Sequence, residues 1–292
     1  MSKIQEDALA GLAQDMMSNA CVLGAKRDRI ALAKKALKIC PDNVDALMLL
    51  AEDASSDADG KLQMYLTAVE AGKRKLKYLP KGGDAIRWWS EPEMHPYMHA
   101  LFGLARSKWD AGRHREAIAD CEQLLAMNPD DNQRVRYYLL HYLVALRDAL
   151  RIDKLKKEQL AVDQTAAALY PLALWAYLSN GPCPEADTAL QLAIASNPHL
   201  PAYLLGVRSL TRKRPSQICL GSREEAHSYM TAFGFVWLGA YPELSYPPWM
   251  RARAERKEEA RAAVFETHAN VDRSLKYWIY DCLVGLRGLR VV

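Results

Sequence analysis

A chain of 292 residues can build one long domain or two compact ones, and its balance of half hydrophobic and a quarter charged residues is ordinary for a folded soluble protein. Its net charge of +4 lacks the one-faced basic excess of a dedicated nucleic-acid domain. No run reaches the ~18 apolar residues needed to span a bilayer, and the acids in the opening MSKIQEDALAGLAQDMM are foreign to a secretory signal.

Taken in chain order, the first structural signal is Gly24, followed 17 positions later by Pro41. The same interval separates Gly112 from Pro129 and Gly181 from Pro198. Glycine permits the tight turn between two antiparallel helices, the second helix runs about three and a half turns, and proline stops it and opens the next. A helix–turn–helix unit of ~34 residues is the tetratricopeptide period. Two units are clean, residues 98–131 and 167–200. In the first, Leu101, Leu104 and Ala105 line one helix, and Ala117, Ile118, Cys121, Leu124 and Leu125 form the apolar stripe of the next. In the second, Tyr170, Tyr177, Gly181, Ala186 and Ala193 take corresponding places. Ala105, Ala117 and Ala186 are expected where paired helices cross closest, because a larger side chain would push them apart. The stretches 43–79 and 132–163 are degenerate, and Pro41 to Pro129 spans 88 residues, which demands an insertion.

Between the units, residues 78–96 read as a loop carrying Trp88 and Trp89, with Pro96 opening a helix. The aromatic pair is expected to fold back over the helices rather than stand out as an anchor. Residues 211–221 form a basic connector, and Ser222 and Glu225 have capping-box spacing at the start of another helix. A Pro-rich segment, 240–249, precedes a charged helix and a final amphipathic stretch, which together could cap the stack. The predicted architecture is therefore all-α, a tetratricopeptide-like right-handed solenoid of antiparallel helix pairs over residues 1–240. Residues 241–292 form a connector and capping helices. The six cysteines contain no C-x-x-C pair and read as buried thiols in a reducing compartment, so a cytoplasmic address follows.

The G-x16-P units resemble tetratricopeptide repeats. More narrowly, PYMHALFGLA (96–105), NPDDNQRVRYYLL (128–140) and NPHLPAYLL (197–205) resemble a bacterial family of repeat proteins related to the eukaryotic suppressor-of-tumorigenicity protein 7 family. GSREEAHSYM followed by Trp237 extends the likeness, which covers roughly residues 25–240. The eukaryotic relatives look membrane-associated, and this chain lacks their apolar spans. The resemblance implies the helical-repeat fold and brings no catalytic residues with it.

No nucleotide-binding, metalloprotease or hydrolase motif is present. Lys81-Gly82-Gly83-Asp84 is too short to cradle a phosphate. His95 and His99 stand four apart with His114 beyond, but His95 precedes Pro96 at a helix start and no closed ligand set accompanies them. His199 and Cys183 sit in turns between helices. Neither catalysis, nor a cofactor, nor a metal is expected. The Lys73, Arg74, Lys75, Lys77 group reads as a helix C-terminus, and the 251–259 charges read as a solvated helix face.

What such a fold offers is a groove lined by the first helix of each unit. The residues expected on it are His99, Phe102, Arg106 and Trp109, then Gln133, Arg136 and Tyr137, and Trp175 in the later unit. Arginines among aromatic residues suit a peptide or an acidic partner, and the partner expected is a protein or peptide. The positions at which some tetratricopeptide domains clamp a peptide carboxylate hold Phe102, Gly103, Arg136, Tyr137, Pro171 and Leu172 here. Only Arg136 fits, so that clamp is not expected.

Overall fold

The computed structural model describes residues 3–55, 57–76, 88–211, 215, 217–238 and 249–250. Among them every regular element is helical. Residues 77–87, 239–248 and 251–292, where the Pro-rich connector and the tail helices are expected, lie outside the described residues. Contacts divide the chain after Val135, and the two units are taken in turn.

The first unit holds α1 (Lys3–Val22), α2 (Lys26–Ile39), α3 (Val44–Asp53), α4 (Ala58–Leu76), α5 (His95–Asp110) and α6 (His114–Met127). Each helix packs on the next, and α3 also touches α1 and α5. The first helices of three successive pairs thus form a continuous row. Alanine makes the earliest crossings possible: Ala13 and Ala20 of α1, Ala33 and Ala36 of α2 and Ala46 of α3 are sealed in one cluster with Met17 and Leu50. Larger side chains fill the next layer, where Leu47, Leu62, Tyr65, Val69, Tyr97 and Leu104 come together. Gly103 is required there, because a Cβ on it would lie 1.9 Å from the Tyr65 ring. Gly112 turns α5 into α6 at φ +76°, a conformation that suits glycine. The earlier turn works differently. Arg29, buried, donates Nη1 to the carbonyls of Leu23 (3.0 Å) and Gly24 (3.1 Å) and pairs through Nε with Asp53 at 2.7 Å. It thereby satisfies carbonyls that the end of α1 leaves open.

The degenerate stretch 43–79 proves to hold a full helix pair, α3 and α4, capped by Asn43, whose side chain accepts from Ala46 N. The insertion that the 88-residue interval demands falls between Leu76 and His95. Its described part is two 3-10 turns, Trp88–Ser90 and Pro92–Met94. Trp88 packs on the α4–α5 core and on Tyr97, as the fold-back reading expects.

The second unit holds α7 (Val135–Leu146, whose first residue belongs to the first unit), α8 (Ala149–Gln159), α9 (Ala166–Asn180), α10 (Pro184–Ser196), α11 (Leu200–Leu204) and α12 (Arg223–Leu238). Gly181 turns α9 into α10 at φ +69°, and the Cys183 sulfur caps α10 by accepting from Ala186 N. The core is aromatic. Phe233 of α12 stacks on His141 of α7 (3.9 Å between centroids) and meets Tyr138 and Tyr229 edge-on. His141 is wholly buried, and its hydrogen bonds form one chain. Trp237 Nε1 donates to the Tyr229 hydroxyl (3.0 Å), which donates to His141 Nε2 (3.1 Å), while His141 Nδ1 donates to the Tyr137 carbonyl (2.7 Å). A tryptophan N–H can only donate, so this single direction satisfies every member. Burial pushes the His141 pKa down to about 3 and keeps the ring neutral. The capping-box spacing of Ser222 and Glu225 yields the first of that motif's two bonds, while the carboxyl reaches past Ser222 N, which bonds the Cys219 carbonyl. Ser222 Oγ accepts from Glu225 N, and the Glu225 carboxyl accepts from Gly221 N (2.6 Å) and Asn197 Nδ2 (2.8 Å).

Ala105, Ala117 and Ala186 are completely buried, as their crossing role requires. The thiols depart from expectation: Cys121 is buried, but Cys21 and Cys219 are exposed. No helix among the described residues is long and apolar enough to cross a membrane.

Candidate partner-binding face

The row of first helices in the first unit gathers polar and aromatic side chains that are neither core nor free surface. On α3, Asp45, Met48, Leu49 and Glu52 fall at helical steps on one side, and all four are half-buried. On α5, His95, His99, Phe102, Arg106 and Trp109 follow the same rule and are also half-buried. Hydrogen bonds run across the row. Gln14 of α1 donates to Asp45 at 2.6 Å and accepts from Asn43 Nδ2 at 3.3 Å. Arg106 of α5 reaches back to Glu52 of α3 at 3.2 Å. Gln133, beyond α6, meets His99 Nδ1 at 3.3 Å.

Glu52 is the most engaged of these groups. It accepts from Lys61 (3.0 Å), the Tyr65 hydroxyl (2.5 Å) and Arg106. Burial raises its pKa, yet the neighbouring cations and hydroxyl outweigh that and hold it below the ordinary carboxylate value. His99 is the opposite case. Burial drives its pKa down to about 4, with Asp45 resisting and His95 and Arg106 assisting. At neutral pH it is an uncharged imidazole. Trp89 lies against both histidines, stacked on His95 at 4.2 Å and edge-on to His99 at 5.6 Å, while its carbonyl accepts from His95 Nε2 at 2.8 Å. Among the described residues no group of three His, Cys, Asp or Glu is placed to hold a metal ion.

Of the eight residues that the sequence placed on a groove, His99, Phe102, Arg106 and Trp109 share this α5 face. The Arg106 guanidinium lies 5.4 Å from the Phe102 ring centre, and Trp109 packs on His114 at 4.1 Å. Gln133 belongs to the same unit but is buried. The other three lie in the second unit. Tyr137 is fully buried, and its hydroxyl donates to Asp163 at 2.8 Å. Arg136 is buried as well and spends its guanidinium on Asp163 (3.3 Å) and the Tyr137 hydroxyl (3.0 Å). Arg136 and Tyr137 are therefore buried rather than open on a groove. The reason is that α7 is apolar on nearly every side, so no stripe told its inner face from its outer one. Trp175 is half-buried on α9.

Gln14, Asp45 and Glu52 were absent from the sequence reading. They sit before and within the stretch where the repeat signal fails. The one trace they leave is the seven-residue interval from Asp45 to Glu52, two helical turns with Met48 and Leu49 between. No protein-family model, curated protein or solved structure matches this chain.

Proposed function

We propose that this chain is a non-catalytic, tetratricopeptide-like scaffold of the cytoplasm that holds a peptide segment of another protein along α1, α3 and α5. The observation that carries this reading is the continuous row of first helices, cross-linked by Gln14–Asp45 and Glu52–Arg106 and edged by half-buried aromatic residues. Cross-linking removes side-chain freedom before a partner arrives, and pre-organisation of that kind favours binding. Phe102 and Trp109 supply the aromatic area at which binding energy concentrates. The first unit carries the function in this reading, and the second unit's Arg136 and Tyr137 are structural.

A peptide-display selection on the full chain tests it. A selected peptide, titrated against the purified protein, is expected to lose about tenfold or more in affinity on Phe102→Ala and to keep its affinity on Trp175→Ala. Melting curves of both variants separate lost contact from lost fold. Failure to enrich any peptide, or binding indifferent to Phe102 in a folded variant, removes the proposal.

A further inference from the structure

In the sequence, the arginines suited a peptide or an acidic partner. The structure redirects that inference, since Arg106 is neutralised by Glu52 and Arg136 by Asp163. Asp45 is different. It is half-buried on α3, its hydrogen bond comes from the uncharged Gln14 amide, and among the described residues it has no ion pair. On the touching helices α3 and α5, Asp45 lies seven residues before Glu52 and His99 seven before its partner Arg106; the Asp45 charge acts on the His99 imidazole, which burial keeps neutral. A second feature at the same corner points to a ligand. Gln133 is 4% exposed, yet among the described residues its Oε1 has no hydrogen-bond partner, while Nε2 is held by His99. A buried carbonyl oxygen without a donor is costly. Carboxylate and amide oxygen both ask for N–H donors, and the Trp89 ring beside His99 offers a flat apolar wall. A guanidinium, which brings several donors, a positive charge and a planar surface, meets all three demands.

Resting on the scaffold reading, we propose that the corner formed by Asp45, His99, Gln133 and Trp89 receives an arginine side chain of the bound peptide. Asp45 supplies the opposite charge, Gln133 Oε1 accepts a guanidinium N–H as side chains adjust, and Trp89 provides the stacking edge. Glu52, already saturated by Lys61, Tyr65 and Arg106, takes no part.

The test uses the full chain and three fluorescein-labelled peptides, (Gly-Ala-Arg)4, (Gly-Ala-Gln)4 and (Gly-Ala-Glu)4, followed by anisotropy at moderate salt. The arginine peptide should bind about tenfold more tightly than the glutamine peptide, because a lost charge partner in a half-buried site costs on that order. Asp45→Asn, which can keep the Gln14 bond, should abolish the advantage. Independently of any variant, the His99 imidazole proton resonances should shift when the arginine peptide is added. Preference for the glutamate peptide, an arginine advantage that survives Asp45→Asn, or an unmoved His99 signal overturns the proposal. A display-selected peptide that needs Phe102 but contains no arginine and ignores Asp45→Asn overturns this inference while leaving the scaffold reading intact.

Discussion

The two units spend their polar groups in opposite ways. In the first, the hydrogen bonds that join successive first helices lie half-buried along one face, from Gln14–Asp45 to Glu52–Arg106. In the second, they are sealed inside, as the Trp237–Tyr229–His141–Tyr137 chain and the Arg136–Tyr137–Asp163 cluster. Buried polar groups stabilise only when every member is satisfied, so the second arrangement enforces one conformation. Half-buried groups keep capacity for a partner. The contrast teaches that an arginine in a helical repeat says little about binding until its carboxylate is known.

The largest expected effect breaks the second unit's chain. Tyr229→Phe removes the hydroxyl that joins Trp237 Nε1 to His141 Nε2 and leaves the buried His141 nitrogen without its donor, at about 1–3 kcal/mol. Chemical denaturation should show it. A loss under about 1 kcal/mol would mean that the chain is not sealed.

The next concerns helix contact in the first unit. Gly103→Ala adds a Cβ 1.9 Å from Tyr65, so α4 and α5 must part. Overpacking of about 1–3 kcal/mol should outweigh the ~1 kcal/mol that alanine gains over glycine in a helix. A variant that melts higher than the parent would show that the two helices do not meet there.

A smaller effect uses pH to sharpen the comparison. Burial raises the Glu225 pKa to about 7 from an ordinary 4.5, so between those values the folded chain holds a proton that the unfolded chain has lost. That contribution is complete below 4.5 and disappears as pH rises through 7. His141 acts with the opposite slope. Its pKa of about 3 against an ordinary 6.5 makes stability fall as pH drops through that window. Glu225→Gln should therefore melt progressively higher relative to the parent as pH rises from about 5 to about 8. A difference independent of pH would show Glu225 to be solvated.

The smallest effect belongs to the surface. Arg74–Asp42 is bidentate but about half exposed, so Arg74→Ala should lower the melting temperature only slightly, and the difference should vanish in high salt.

The α5–α6 and α9–α10 pairs were legible because their turns use glycine at positive φ, at Gly112 and Gly181, followed 17 residues on by proline. The α7–α8 pair was not, for a physical reason. Arg147 takes the left-handed conformation there, at φ 57°, so the turn exists without the glycine that marks it. The α3–α4 pair escaped because its turn also lacks that glycine–proline signature. At the candidate face, α5 was readable from its own periodicity, which found His99, Phe102, Arg106 and Trp109. Asp45 and Glu52 were not, since their place depends on which helix lies beside α5. Tyr137 and Arg136 were misplaced because α7 is buried on nearly all sides, and burial of that kind carries no direction in the sequence.

The central claim, that the first unit's row of first helices is the binding face, is tested most directly by hydrogen exchange on the full chain with and without a display-selected peptide. Peptide addition should slow exchange in α1, α3 and α5 and leave α9 and α12 unchanged. Protection confined to the second unit, or none in α3 and α5 at saturating peptide, would contradict it.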